Sequence, residues 1–284
     1  MKKKPIRIIT KLEIKNHNLV KGMNLEGLRA LGRANLFSEY YYNSGADEII
    51  YQDIVASLYG QNTLDEFISE TAKKIFIPLT VGGGIRSISD IKRVLRCGAD
   101  KVSINSQAFK SLEFIKKSVK EFGSSTISIN IEAKLNEKND YEAFYENGRT
   151  PSGFLVKNWI KIIQDLGVGE IVLTSIDHDG LGNGPDVQLL ESIKGIVTVP
   201  FIYAGGISNS EQIVRLIKNY DFITGISLSS LLHYSAINTT SPKSDNFGGN
   251  FDFLNNIRKH KKFKDYNISL IKKNLIKNKI NCRN

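Results

Sequence analysis

The chain has 284 residues with a formal net charge of +10, and 41% hydrophobic with 24% charged residues excludes a wholly disordered polypeptide. Two cysteines, Cys97 and Cys282, exclude a disulfide scaffold and a four-cysteine metal site. No window approaches the ~20 apolar residues of a membrane span, and Arg7 and Lys11 interrupt the apolar run behind the basic start. The expectation is a cytoplasmic protein with no transmembrane segment. The charge is concentrated at one end. Residues 258–284 hold ten Lys or Arg against one acid, Asp265, which leaves 1–257 at a net +1. A Lys/Asn-interleaved tail of this kind reads as a solvated face, with a partner or membrane-surface contact as the other reading, and not as a nucleic-acid site.

In chain order, β-branched runs at 7–14, 48–53, 78–81, 101–104, 126–131, 170–174, 200–203 and 223–227 read as strands. Helical spacing appears between them, at 64–74, 88–96, 112–122, 156–166, 187–194 and 210–219. Eight strands separated by helices imply a single α/β (β/α)8 TIM barrel, with an open doubly wound sheet as the alternative. Residues 132–153 read as a hairpin turning at Asn147-Gly148. Residues 235–264 read as an inserted loop, followed by a basic C-terminal helix over about 265–284. The core is then about 5–234, and the whole chain 1–284 is expected to be one domain. An internal repeat supports the closed form. Gly45-Ala-Asp-Glu-Ile49 resembles Gly167-Val-Gly-Glu-Ile171, and Val81-Gly-Gly-Gly-Ile85 resembles Tyr203-Ala-Gly-Gly-Ile207. One offset of 122 aligns both pairs, as duplicated half-barrels require.

The carboxyl ends of barrel strands carry the site, because the βα loops gather there. Gly82-Gly83-Gly84 follows the third strand and Gly205-Gly206 the seventh; Asn105-Ser106 and Ser229-Ser230 follow the fourth and eighth. Glycines let backbone N–H groups approach an anion, so these runs imply two phosphate sites on opposite sides of the mouth. A tight turn is the bland reading of either run alone. Glu13 and Glu132 crown opposite strands and suggest general acid/base work on a bis-phosphorylated substrate; otherwise they are ordinary solvated carboxylates. Asp53, Asp177 and Asp179 make the mouth acidic. Asp177-His-Asp179 has a metal-like spacing, but no second His stands at a ligand position, so neither metal nor cofactor is expected. At the other end, Arg7, Glu48, Lys101 and Glu170 begin strands and could form two ion pairs across the axis.

These residues resemble the cyclase subunit of imidazole glycerol phosphate synthase over about 5–234. The carrying motifs are Leu19-Val-Lys-Gly22, Asp53-Ile-Val-Ala-Ser57, Val81-Gly-Gly-Gly-Ile85, Gly98-Ala-Asp-Lys-Val-Ser-Ile-Asn105, Leu173-Thr-Ser-Ile-Asp-His-Asp-Gly180 and Ala204-Gly-Gly206. The resemblance implies a heterodimer with a glutaminase docked on the barrel floor. Ammonia would pass through the barrel to a bis-phosphorylated ribulosyl-formimino nucleotide. It assigns phosphate binding to Gly84, Asn105 and Ser106 on one side and to Gly180, Gly206, Ser229 and Ser230 on the other. Asp53 and Asp179 fall among the substrate-binding positions, and Lys21 corresponds to a flexible-loop lysine. Arg7, Glu48, Lys101 and Glu170 match the gate that admits ammonia. The family's catalytic aspartates are Glu13 and Glu132 here, each about one methylene longer. With Tyr51-Gln-Asp-Ile-Val-Ala-Ser-Leu-Tyr-Gly-Gln-Asn62, Ile131-Glu-Ala-Lys134 and 141–149, that change resembles a branch associated with surface-polysaccharide genes. There the barrel would convey ammonia to a sugar amidotransferase. The sister sugar isomerase of histidine synthesis shares the half-barrel repeat but not the gate.

Overall fold

Eight strands pair in parallel and close on themselves. The computed structural model describes residues 5–55, 64–240 and 266–283. In chain order the strands are β1 (Arg7–Lys15), β2 (Asn18–Met23), β3 (Glu26–Arg33), β4 (Glu48–Asp53), β5 (Leu79–Gly82), β6 (Lys101–Ile104), β7 (Ile127–Leu135), β8 (Tyr141–Tyr145), β9 (Thr150–Leu155), β10 (Glu170–Ser175), β11 (Phe201–Ala204) and β12 (Ile223–Leu228). The ring runs β1-β4-β5-β6-β7-β10-β11-β12 and returns to β1, every pairing parallel. The helices are α1 (Ala34–Asn43), α2 (Asp65–Ala72), α3 (Ile88–Arg96), α4 (Ser106–Lys110), α5 (Leu112–Phe122), α6 (Val156–Asp165), α7 (Val187–Ile193), α8 (Ser210–Asn219), α9 (Ser230–Thr240) and α10 (Ile268–Lys277). This is a (β/α)8 barrel. Among the described residues no helix is long and apolar enough to cross a membrane.

Two hairpins leave the ring at its carboxyl end. β8 and β9 extend β7, and the turn between them places Glu146, Asn147 and Gly148 at positive φ, as the Asn-Gly pair predicts. β2 and β3 fold back from β1 through Asn16-His17, and turn again at Asn24-Leu25. Neither of these turns contains a glycine, so the first hairpin carries no strong turn signal; it was expected to be a loop. The tyrosine-rich run of α1 likewise hides a helix.

The pleat places alternate side chains inside the ring. Ile9, Ile50, Val172 and Ile202 form a small apolar cluster separate from the main core, which lies between the sheet and the helices. They make a collar around the bore. A Cβ on Gly225 would stand 3.0 Å from Ile9 and 3.2 Å from Ile202, so a glycine there leaves the collar room.

The C-terminal part departs from expectation in two ways. Ser235, placed in the inserted loop, continues α9 instead, and the helix runs to Thr240. Lys272, counted in the solvated tail, is buried. Its ammonium lies 2.8 Å from Asp47 Oδ1, while Asp47 Oδ2 accepts the Ile8 N–H at 2.7 Å. One carboxylate therefore ties α10 to the start of the barrel. Residues 241–265, which include most of the expected insertion and Arg258 to Lys264 of the tail, lie outside the described residues, as do 56–63 of the long Tyr51–Asn62 motif. Removing one partner of a buried pair leaves an uncompensated charge. Asp47→Ala should cost about 3–5 kcal/mol in urea unfolding, and adding Lys272→Met should restore part of that loss.

Candidate active site

The floor of the bore is a closed ring of charge. Arg7 reaches Glu48 Oε2 at 2.9 Å and Glu170 Oε2 at 2.6 Å; Lys101 reaches Glu48 Oε1 at 2.8 Å and Glu170 Oε1 at 3.0 Å. Four ion pairs form, where two were expected, because each carboxylate bridges both cations. Thr80 also donates to Glu48 at 2.7 Å. Above this ring stands the apolar collar, and above that the mouth.

At the mouth, β1 and β7 present Glu13 and Glu132 from opposite sides of the ring, both almost fully buried. Their environments differ. Both oxygens of Glu13 accept from Lys21 Nζ at 2.9 Å, and the same ammonium reaches Asp179 Oδ2 at 2.7 Å. Lys21 was expected in a flexible loop. It sits in β2 instead, buried, because the first hairpin carries it down onto the mouth. Burial alone would lower its pKa, but Asp179 and Glu13 hold it above the ordinary lysine value. Glu132 has no such ion pair among the described residues. Oε2 accepts the Gly148 N–H at 2.7 Å and Oε1 accepts from Asn130 at 3.3 Å. Burial pushes its carboxyl up to about 7, against the pull of the Lys11 charge and the Gly148 N–H. One carboxylate is ion-paired and the other is poised to exchange a proton near neutrality, which is how two like groups come to differ in role.

Two clefts flank this pair. One, of about 620 Å³, is lined by Asp53, Gly83, Gly84, Asn105, Ser106 and Glu132. The other, of about 390 Å³, is lined by Asp179, Gly180, Gly206, Ser229 and Ser230, with Lys11. The glycines are required. A Cβ at Gly83 would lie 2.2 Å from the Asp53 carbonyl, and one at Gly206 would lie 1.9 Å from that of Gly184. Gly84 and Gly206, equivalent in the repeat, share positive φ values of 69° and 75°.

Not every expected side chain is turned to a cleft. Asn105 donates to the Asn130 and Phe144 carbonyls, and Ser106 accepts the Glu146 N–H, so both are engaged by the second hairpin and its strand. Ser229 donates to the Lys11 carbonyl at 2.9 Å. Ser230 keeps a buried hydroxyl with no partner among the described residues. Asp53 accepts the Val55 N–H, and Asp177 the Leu135 N–H. His178 bonds the Gly184 carbonyl. Among the described residues no group of three His, Cys, Asp or Glu could hold a metal ion.

Sequence reasoning missed Lys11, Asn130 and Gly148. Lys11 and Asn130 each stand two residues before a mouth glutamate, so period-two counting would have found them inside. Gly148 needed the hairpin's path over the mouth.

A profile of the family described as "Histidine biosynthesis protein" matches residues 7–238. The chain belongs to that family. It is 45% identical over 207 residues to the imidazole glycerol phosphate synthase subunit HisF of Legionella pneumophila, covering 73% of this chain and 98% of the relative. The subunits of the same name from Staphylococcus saprophyticus and Prochlorococcus marinus (strain AS9601) are 42% and 43% identical over 228 and 230 residues. Each match covers 80% of this chain and 90% of the relative. The matched region spans the ring, both hairpins and both clefts, and ends within α9.

The raised carboxyl of Glu132 makes stability depend on pH. In the unfolded chain it loses its proton near 4.5 and in the folded protein near 7, so stability is lost as pH rises through that window. Glu132→Gln removes the penalty. In urea titrations the variant should gain on the parent by up to about 3 kcal/mol at pH 8 and by nothing at pH 4.

Proposed function

We propose that this chain is a cytoplasmic, cyclase-type subunit of an imidazole glycerol phosphate synthase complex. The carrying observation is the pair Glu13 and Glu132, one ion-paired and one titrating near neutrality, set between two glycine-walled clefts at the top of a bore floored by charge. In this reading the clefts hold the two phosphates of the ribulosyl-formimino nucleotide. Arg7, Glu48, Lys101 and Glu170 form the gate for ammonia arriving from a glutaminase on the floor. Phe76, 80% exposed beside the start of β5 on that face, suits such a partner. The family membership and the close relatives named as HisF subunits support the assignment.

Chemically, Glu13, ion-paired with Lys21, stabilises positive charge that develops as ammonia adds to the substrate. Glu132 takes up and returns the proton that must move as the ring closes. Asp179 keeps Lys21 at the mouth, and Asp53 borders the first cleft.

The test is turnover by the purified full chain with ammonium salt and the formimino nucleotide. Turnover is expected, with an inflection near pH 7 that disappears in Glu132→Gln along with about 100-fold or more of the rate. A second reading is a conduit for ammonia to a sugar amidotransferase, with little chemistry of its own. It is favoured by the engagement of both Glu13 oxygens with Lys21 and by the longer glutamate side chains. No turnover at millimolar ammonia supports that reading and overturns the cyclase.

The gate has its own test. Lys101→Ala opens two of the four floor ion pairs. With the glutaminase present it should reduce glutamine-dependent turnover well below ammonia-dependent turnover. Equal losses with both nitrogen sources contradict the gate.

A further inference from the structure

Beyond the pull of its charge on the Glu132 carboxyl, Lys11 has had no part in the site so far. It occupies the interior position of β1 between the collar residue Ile9 and Glu13, and is 4% exposed. Its side chain crosses the bore towards β10, three strands round the ring, where Nζ lies 3.5 Å from Thr174 Oγ1. That is a long contact for a buried ammonium, which needs an anion close by to offset its lost hydration. The mouth carboxylates are already engaged: Glu13 and Asp179 with Lys21, Glu132 with Gly148 and Asn130.

The surroundings of the ammonium point to an anionic ligand. Lys11 lines the second cleft together with Gly206, Ser227 and Ser230. The hydroxyls of Ser227 and Ser230 are both buried, and neither has a hydrogen-bond partner among the described residues. Among the described residues, two unpartnered buried hydroxyls and an ammonium with no carboxylate at ion-pair distance, though it pulls on Glu132 and Asp179 from further off, border one cleft.

We propose that Lys11 is a ligand-binding residue whose ammonium, with the hydroxyls of Ser227 and Ser230, binds a phosphate dianion in the second cleft from beneath. This rests on the two-phosphate reading above and adds an inequality to it. The corresponding position in β7, two residues before Glu132, is Asn130, which is neutral and bonded to Glu132. The first cleft therefore has no buried cation from β7 beneath it. The halves of the duplicated barrel hold the two ends of a substrate unequally, with the dianion gripped on the β11–β12 side.

The experiment follows backbone amide signals of the full chain during titration with inorganic phosphate. Gly206 and Ser230 report on the second cleft, Gly84 and Ser106 on the first. In Lys11→Met the apparent Kd at Gly206 and Ser230 should rise about tenfold or more, with Gly84 and Ser106 unchanged; Lys11→Arg should retain most of the binding. An unchanged Kd at Gly206 and Ser230 in Lys11→Met overturns the role of Lys11 while leaving the two-phosphate reading intact. No saturable shift at either cleft in the parent protein overturns that reading and the inference with it. Should Lys11→Met fail to fold, the Lys11 Nζ signal of the parent decides. It should shift with phosphate and not with chloride at equal ionic strength, and an unmoved signal overturns the proposal.

Discussion

The features of the mouth depend on the ring closing between β1 and β12. The register there pairs Arg7 with Gly225 and Ile9 with Ser227. Closure satisfies the backbone of every ring strand and fixes which side chains face the axis. Along β1 the inward series is Arg7, Ile9, Lys11 and Glu13. A slip of one residue would turn all four outward and bring Ile8, Thr10 and Leu12 into the bore. The charged floor, the apolar collar, the buried ammonium and the carboxylate at the mouth are successive levels of one pleated strand.

Burying this much charge is tolerable only because the groups are arranged to answer one another. On the floor, each of two carboxylates bridges an arginine and a lysine. At the mouth, Lys21 arrives on a hairpin from the solvent side and serves Glu13 and Asp179 at once. Glu132, left with an amide N–H and an asparagine, is driven towards its neutral form by the same burial. The tips of the two hairpins also meet: Asn147 donates to the Leu25 carbonyl at 3.1 Å, and a Cβ on Gly148 would touch Leu25. The cover over the mouth is thus continuous with the groups that set the electrostatics inside it.

Much of this was legible in the sequence because its causes are local. Helices α3, α5 and α8 fall on the residues their spacing indicates, helped by Ser87, Ser111 and Asn209 as caps. The turn at Asn147-Gly148 announces itself by chemistry. By contrast the turn at Asn16-His17 uses non-glycine residues at positive φ, which the surrounding contacts must sustain, and so the first hairpin was hidden. The end of the barrel helices was hidden too, since α9 runs on through a serine- and threonine-containing segment that reads as loop.

The sequence by itself determined the barrel, its repeat, and the strand ends on which glycines and acids stand, because period-two and helical patterns record which face of each element meets apolar surroundings. It could not determine the difference between Glu13 and Glu132. That difference comes from Lys21, eight residues on from one glutamate, and Gly148, sixteen on from the other. Both contacts exist only once two hairpins have folded back over a closed ring. Nor could it show that Lys272 is buried against Asp47, 225 positions away, rather than solvated with the rest of the basic tail. The net charge of +10 is a sum over residues. Only the tertiary structure decides which of those charges are taken out of water, because desolvation and pairing are properties of place.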